Sequence, residues 1–243
     1  GQLFKQIHKF FGSKEHMAGI RGYEIGQKLL QDLEKSNTDV MLNSVAYGMF
    51  ANNTVGVIQR DRHYAIEAKK VIIAAGGKEN YMSFPGSTLP GVMGAGAAQT
   101  MINVNRVLPG KHIVMLGSGN VGLIVAYQLM QAGATVEALV EAAPNIGGYG
   151  VHAGKIRRAG VPILTSHTIK EVYGDGCVEG VIIAEVDNRF QPIPGTERAI
   201  AADTVCLAVG LNPMTELAWM AGCEFTFLPG FGGHAPLHDA NMK

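Results

Sequence analysis

The chain has 243 residues, of which 47% are hydrophobic and 16% charged, and its formal net charge is zero. This length allows one large or two modest domains with a sizeable core, and the absence of a Lys/Arg run argues against nucleic acid or an anionic membrane as a partner. The cysteines show no CxxC spacing (Cys177, Cys206 and Cys223), so neither a disulfide framework nor a zinc site is expected, and a reducing, cytoplasmic setting fits.

Two uncharged stretches, 80–105 and 112–136, could suggest membrane spans. Both are interrupted by Gly and polar residues and lack the about 20 consecutive apolar residues that a bilayer requires. No signal peptide is expected at the start, where charged residues recur. Since the sequence opens on Gly1 without methionine, we interpret it as part of a longer protein.

The first third of the chain predicts one helix and then several strands. The run 22–37 places apolar side chains on one helical face (Ile25, Leu29, Leu30 and Leu33). Short β-rich runs between 40 and 73 predict an antiparallel meander. The meander is expected to lead into a buried strand at "VIIAAGG" (71–77), which ends in glycines as strands at a ligand-binding edge do.

The remainder predicts a β–α–β unit followed by a hairpin. A Pro/Gly-rich connection (84–94) and a short helix (95–104) precede the unit at 111–141, "KHIVMLGSGNVGLIVAYQLMQAGATVEALVE". A hairpin turning at "GDG" and one strand in "RAIAADTVCLAVG" follow. Between 211 and 228 we expect a short helix, with Trp219 and Met220 in the core, and a strand; the tail from Pro229 is expected to be a loop.

The glycine turn of this unit has the G-x-G-x-x-G spacing. The first glycine permits the tight turn, the second lets the backbone approach a pyrophosphate, and the third lets the helix pack closely on the sheet. The helix that follows directs its amides and positive dipole end at the phosphates. The candidate cofactor-binding residues are therefore Gly117, Ser118, Gly119, Asn120, Val121 and Gly122.

Glu141 ends the second strand of the unit, 19 residues after Gly122. An acid about 20 residues after the glycines accepts the ribose 2′-hydroxyl of NAD and repels the 2′-phosphate of NADP. The first bases beyond it are Lys155, Arg157 and Arg158, so NAD is preferred over NADP. A methyltransferase is the nearest rival, but it usually carries an acid just before the first glycine, where Leu116 stands.

Few other residues suggest chemistry. The eight histidines show no metal-ligand spacing, and no catalytic residue can be named. His152 could lie near the nucleotide cleft, although a surface or helix-capping position is the simpler expectation. Asp203 is interpreted as a turn acid.

The order of these motifs resembles the FAD-dependent pyridine nucleotide–disulfide oxidoreductase superfamily, the two-dinucleotide-domain flavoproteins. The segments "MGAGAAQTMIN" and "GYGVHAGKIRRAGVPILTSHTI" are most similar to one branch of it. That branch contains the α-subunits of sarcosine oxidase, proline dehydrogenase and opine oxidase, and one hydrogen cyanide synthase subunit. The resemblance covers nearly the whole chain.

The resemblance implies where cofactors would lie. Gly1 and Gln2 match the tail of a "GGQ" signature, and with Ala75 and Gly76 they would contact FAD. The segment ending at Gly210 would close over the nicotinamide. The phosphate-binding turn for FAD would precede Gly1, so this chain by itself is expected to hold FAD weakly.

The resemblance also implies an activity. Because no CxxC is present, the parent protein would be a flavin-mediated dehydrogenase or electron-transfer subunit, in which hydride passes between NAD(H) and FAD. Its substrate would be of the amine or amino-acid type, or a second oxidoreductase subunit would be its partner, and a homo-oligomer is expected. The alternative is an isolated nucleotide-binding or interaction module without turnover.

We therefore expect an α/β fold: a Rossmann-like three-layer NAD-binding domain with a hairpin, joined to a partial FAD-domain segment with an antiparallel meander. The expected divisions are the FAD-domain segment 1–88, the NAD(H)-binding domain 89–222 and a return segment 223–243.

Overall fold

The computed structural model describes residues 1–228 and 233–241. The chain forms two compact units. The larger unit comprises Gln2–Gly26 and Glu79–Gly210, and the smaller unit comprises Gly1, Gln27–Lys78 and Leu211–Lys243. The expected division into cofactor domains stays a prediction, because compactness alone does not assign a cofactor to a unit.

Five α-helices lie within the described residues: α1 (Gly22–Glu34), α2 (Ala95–Thr100), α3 (Asn120–Gln131), α4 (Gly150–Arg158) and α5 (Glu216–Met220). Short 3₁₀ turns occur at Gln2–Lys5 and Ala51–Asn53, and a π-helical turn at Met101–Asn105 extends α2. Among the residues that the structure describes, no helix is long and apolar enough to cross a membrane.

The strands are β1 (Ser44–Phe50), β2 (Thr54–Gln59), β3 (Arg62–Glu67), β4 (Gly77–Glu79), β5 (Val92–Gly94), β6 (His112–Leu116), β7 (Thr135–Glu141), β8 (Ile163–Thr165), β9 (His167–Tyr173), β10 (Gly180–Glu185), β11 (Arg198–Ala201), β12 (Thr204–Leu207), β13 (Leu211–Pro213), β14 (Phe225–Leu228) and β15 (Gly233–Pro236).

The larger unit is built on a parallel sheet of order β5-β12-β6-β7-β8. Alternate residues of its central strand face opposite sides. Ile113 and Met115 pack with α2, α3 and α4, while Val114 and Leu116 pack with the antiparallel sheet β11-β10-β9. Both faces of the parallel sheet are thereby covered, as apolar parallel strands require. The expected three-layer, Rossmann-like α/β fold is confirmed.

The expected hairpin at "GDG" is confirmed, since β9 pairs antiparallel with β10. The single strand expected in "RAIAADTVCLAVG" is instead two strands in two layers. β11 pairs antiparallel with β10, and β12 joins the parallel sheet beside β6. The chain changes layer at Asp203, whose carboxylate accepts hydrogen bonds from the backbone N–H groups of Lys111 and His112.

The smaller unit contains the expected antiparallel meander of β1, β2 and β3. It also contains the two-stranded pairs β13–β4 and β14–β15. The expectation of a loop from Pro229 onward is wrong for Gly233–Pro236, which pairs with β14 in a register that sets Phe227 opposite His234. The first part of that expected loop, 229–232, lies outside the described residues.

Two further expectations for the smaller unit are wrong. The run 71–76 forms no strand, and Ile72 is 91% exposed. A buried parallel strand needs hydrogen-bonded neighbours, and no described strand pairs with this run.

Trp219 and Met220 are not in the core, since they are 53% and 56% exposed. α5 has only five residues and buries Ala218 instead.

Candidate functional site

The glycine turn lies at the carboxyl edge of the parallel sheet, between the end of β6 and the start of α3. The carboxyl ends of β7 and β12 lie on either side, because both strands pair with β6 in parallel. In open α/β sheets this edge is where ligands bind. The predicted residues of the turn and Glu141 are therefore brought together.

The three glycines of the turn have different surroundings. Gly117 has φ +103°, and a Cβ there would lie 2.3 Å from the carbonyl oxygen of Ala208. A Cβ on Gly122 would lie 2.1 Å from the carbonyl oxygen of Gly117. No atom lies within 4 Å of the place where a Cβ of Gly119 would stand. The first and third glycines therefore serve packing, whereas the second leaves open space.

The loop after β7 packs against this turn. The backbone N–H of Gly148 donates to the carbonyl oxygen of Ser118 at 2.8 Å, and Tyr149 N–H donates to the Asn120 Oδ1 at 2.8 Å. A Cβ on Gly148 would lie 2.6 Å from the Leu123 Cδ1 and 3.0 Å from the Asn120 backbone nitrogen, so a side chain there would force the loop or the turn to shift. Val121, the next residue of α3, is 42% exposed.

The Glu141 side chain links the glycine turn to the end of β7 by hydrogen bonds. Its Oε2 accepts from the backbone N–H of Ser118 at 2.8 Å and from the Ser118 hydroxyl at 2.5 Å, and its Oε1 accepts from Ala143 N–H at 2.8 Å. Ser118 is fully buried. A carboxylate has about four acceptor positions, so one remains for a further donor. The sequence did not predict this fastening role, which depends on the chain path of the turn.

Gly210 follows the end of β12. It has φ +107°, and its carbonyl oxygen accepts from Asn80 N–H at 3.0 Å. Two residues earlier, Ala208 N–H donates to the carbonyl oxygen of Leu116 at 2.7 Å, which ties this segment to the start of the glycine turn.

The residues that the resemblance assigns to FAD are all exposed: Gly1, Gln2, Ala75 and Gly76. Gly76 has φ +80°, and no atom lies within 4 Å of the place where a Cβ would stand. Its carbonyl oxygen accepts from Met214 N–H at 2.9 Å. The assignment of these four residues to FAD stays a prediction.

Two carboxylates have structural roles that sequence reasoning missed or understated. Asp203, expected to be a turn acid, holds the start of β6 as described above. Glu79 accepts from the backbone N–H groups of Gly96 at 2.6 Å and Ala97 at 3.2 Å, at the first turn of α2. An acid at a helix N-terminus is favourable, but 17 residues separate it from Gly96, so no local capping motif revealed it.

Of the cysteines, Cys206 is excluded as a nucleophile by its burial. Cys206 is buried, and burial raises the pKa of its thiol to about 12, which makes it inert. Within 1–228 and 233–241, no group of His, Cys, Asp and Glu side chains could hold a metal ion. His152 is only 8% exposed, so the expectation of a surface position is wrong. It lies on α4 within a hydrogen-bonded turn to Tyr149 and does not cap the helix.

His8 and His152 give a pH-dependent prediction. Burial is the main cause that lowers the pKa of both imidazoles below the usual value of about 6.5; the charges of His152 and Lys155 lower that of His8 further, and the charge of Lys155 lowers that of His152. The unfolded chain therefore binds more protons than the folded one below that value. We expect stability to fall as the pH decreases from about 6.5, and the two imidazole C2–H resonances in an NMR titration to move at lower pH than in unfolded protein. Both titrating at or above the usual value would contradict this.

The parallel sheet, the glycine turn after its central strand and the helix that follows form a Rossmann-type arrangement, the class to which FAD- and NAD-dependent oxidoreductases belong. The family model described as "Pyridine nucleotide-disulphide oxidoreductase" matches residues 6–227. The chain therefore belongs to this family, and the predicted resemblance is confirmed.

Sequence relatives are consistent with this family, and a solved structure has the same fold. The chain is 28% identical to the HcnB subunit of hydrogen cyanide synthase from Pseudomonas aeruginosa, over 86% of this chain and 49% of the relative. It is 27% identical to an opine oxidase subunit of Agrobacterium tumefaciens, over 92% of this chain and 48% of the relative. The thioredoxin reductase of T. acidophilum has the same fold, with a TM-score of 0.70 at 21% identity, over 91% of this chain and 68% of that one. The chain spans about half the length of the curated relatives that it matches.

Proposed function

We propose that the larger unit binds NAD(H) at the glycine turn and serves as the nicotinamide-binding part of an FAD-dependent oxidoreductase. The observation that carries this proposal is the difference among the three glycines. Gly117 and Gly122 have no room for a side chain, whereas the space around Gly119 is open. A pyrophosphate requires close backbone approach at this second glycine.

The residues after Gly119 would hold the phosphates. α3 has 12 residues, so its dipole and its free first-turn amides favour an anion at Asn120 and Val121. No acidic residue occurs in its first turn to repel that anion. In this proposal the segment ending at Gly210 closes over the nicotinamide, and the NAD(H)-binding domain is 89–222.

The bound cofactors would supply hydride transfer between the nicotinamide and the flavin. The chain's own groups would position the two rings and exclude water, and no side-chain acid or base is assigned to the transfer. Family membership supports FAD, with Gly1, Gln2, Ala75 and Gly76 proposed as its contacts. The return segment 223–243 and the segment 1–88 would belong to the FAD domain.

The relatives' names support the wider proposal. One relative belongs to a hydrogen cyanide synthase and the other to an opine oxidase, and both are subunits of those enzymes. We propose by analogy a substrate of the amine or amino-acid type and, as partner, a second oxidoreductase subunit. A homo-oligomeric arrangement and a cytoplasmic location are part of the same proposal.

Glu141 supports a preference for NAD over NADP. Its carboxylate lies at the end of β7 with acceptor capacity left, where a ribose 2′-hydroxyl could donate and a 2′-phosphate would be repelled. The nearest following base is Lys155 on α4, 14 residues further along.

The test is parallel calorimetric titration of the purified protein with NADH, NADPH and FAD. We expect NADH to bind at least about tenfold more tightly than NADPH, and Glu141→Gln to reduce this ratio by about tenfold, because the like-charge repulsion of the 2′-phosphate is removed. The ratio matters because the loss of the bonds to Ser118 would weaken both nucleotides alike.

Glu185→Gln on the exposed end of β10 is the matched control and should leave the ratio unchanged. If neither NADH nor NADPH binds, the glycine turn has a structural role only. If NADH binds but reduces no acceptor dye in the presence of added FAD, the alternative of a nucleotide-binding module without turnover is favoured. That outcome is compatible with a chain that covers only 49% of the length of the HcnB relative.

A further inference from the structure

A cavity of about 320 Å³ lies in the larger unit, between side chains of α3 and α4 and the N-terminal segment 7–9. Its volume is at the lower end of the about 300–1,000 Å³ typical of ligand pockets. None of the residues of the glycine turn, nor Glu141, lines it. The cavity is therefore lined by a different set of residues from the nucleotide site proposed above.

The charge of the cavity is one-sided. Lys9, Arg21 and Lys155 line it, together with His8 and His152, and no Asp or Glu does so. Within the described part of the chain, none of the three cations forms a salt bridge with a carboxylate. Clustered cations without acidic partners repel one another, and an anion would relieve that repulsion.

Gln128, which also lines the cavity, has a buried donor without a partner. Gln128 is only 3% exposed, and its Oε1 accepts from the side-chain amides of Gln99 at 3.0 Å and Asn103 at 3.1 Å. These two bonds fix the orientation of the amide. Its Nε2 is buried and has no hydrogen-bond partner, and neither has the Nδ1 of His8. Buried polar groups in native proteins are nearly always paired, so this amide has donor capacity that no described residue uses.

The rest of the wall is apolar and aromatic. Leu123 and Ile124 of α3 line the cavity, and the Lys155 ammonium lies 5.3 Å from the centre of the Tyr127 ring. This contact holds the ammonium over the aromatic face, beside the apolar wall. A bare inorganic ion would leave the apolar surface uncovered, whereas a molecule with a compact apolar body would fill it.

We propose that this cavity binds a small organic oxyanion, a carboxylate or phosphate monoester with a compact apolar body. Its anionic oxygens pair with Lys155, Arg21 and Lys9, and its body lies against Tyr127 and Ile124. The site shares no lining residue with the proposed NAD(H) site, so the anion would bind independently of NAD(H) as a second ligand of the protein.

The test is calorimetric titration of the purified protein with benzoate, phenyl phosphate and the neutral benzyl alcohol. We expect at least one of the two anions to bind, and benzyl alcohol to bind at least about tenfold more weakly because it cannot pair with the cations. The anion that binds more tightly identifies the source as carboxylate or phosphate. Equal binding of the alcohol, or no binding of either anion, would overturn the proposal.

Lys155→Met removes the charge and keeps a long apolar side chain, so it should weaken the bound anion by about tenfold or more. Arg157→Met on the same helix makes the same charge change on an exposed residue outside the cavity lining, and should leave affinity unchanged. Equal affinity in wild type and Lys155→Met would place the anion elsewhere. Competition between NADH and the anion would show one shared site and overturn the proposal of a second one; failure of NADH to bind would leave the anion result unaffected.

Discussion

Replacing Gly119 with Ala should abolish most NADH binding while leaving the fold unchanged. Gly119 has φ −64° and ψ 172°, which alanine adopts without strain, and no atom lies within 4 Å of the new methyl group. We therefore expect the free energy of unfolding to change by less than about 1 kcal/mol. The methyl group would occupy the space proposed for the pyrophosphate, and NADH affinity measured by calorimetry should fall at least about tenfold.

Gly154→Ala on α4 is the control, because its Cβ would meet only the far end of the Arg158 side chain at 3.3 Å. It should bind NADH like the wild type. Unchanged affinity in Gly119→Ala would mean that no phosphate approaches this backbone, and the nucleotide site would have to be sought elsewhere on the sheet edge.

Replacing Gly122 with Ala should have the opposite profile, with a large loss of stability. The new Cβ would stand 2.1 Å from the carbonyl oxygen of Gly117 and 3.2 Å from the Cβ of Ala208. The first contact is with backbone, so α3 must move away from the turn. We expect the free energy of unfolding to fall by about 1–3 kcal/mol, the usual cost of inserting a group into a packed site. Urea unfolding followed by far-UV circular dichroism measures this change.

The comparison between the two glycine variants separates packing from binding. A stable Gly122→Ala protein would show that α3 is not held against the turn as the structure has it. A Gly122→Ala protein that is destabilised yet binds NADH as tightly as wild type would show that the helix position does not matter for the nucleotide.

The β–α–β part of the larger unit was predictable because its sequence signals are local. The β6–α3–β7 unit has apolar strands, glycines at fixed offsets and a terminal acid within 31 residues, 111–141. The position of Gly119 in open space follows from the same spacing. The bonds from Glu141 to Ser118, by contrast, depend on how two strands align side by side, and nothing in the local sequence specifies that.

The errors arose where a local pattern depends on distant partners. The apolar run at 71–76 resembles a buried strand. A strand forms only beside neighbouring strands, and the local sequence does not show whether such neighbours are present. Trp219 has the hydrophobicity of a core residue but stacks on Phe225, with ring centroids 3.7 Å apart, at the surface of a five-residue helix. The cavity beside α3 and α4 was missed because it joins segments more than 100 residues apart, such as His8 and Gln128.

The exposed run at 71–76 also bears on self-association. It combines β-branched residues with no charge, and a segment of this kind can pair with its counterpart in another molecule to form intermolecular β-structure. Lysines flank it on both sides, at Lys69, Lys70 and Lys78, and charges in such positions oppose stacking by mutual repulsion. Because Lys78 is paired with Glu216 at 3.2 Å, the expected resistance of this run to intermolecular pairing depends mainly on Lys69 and Lys70, and it should weaken as ionic strength rises.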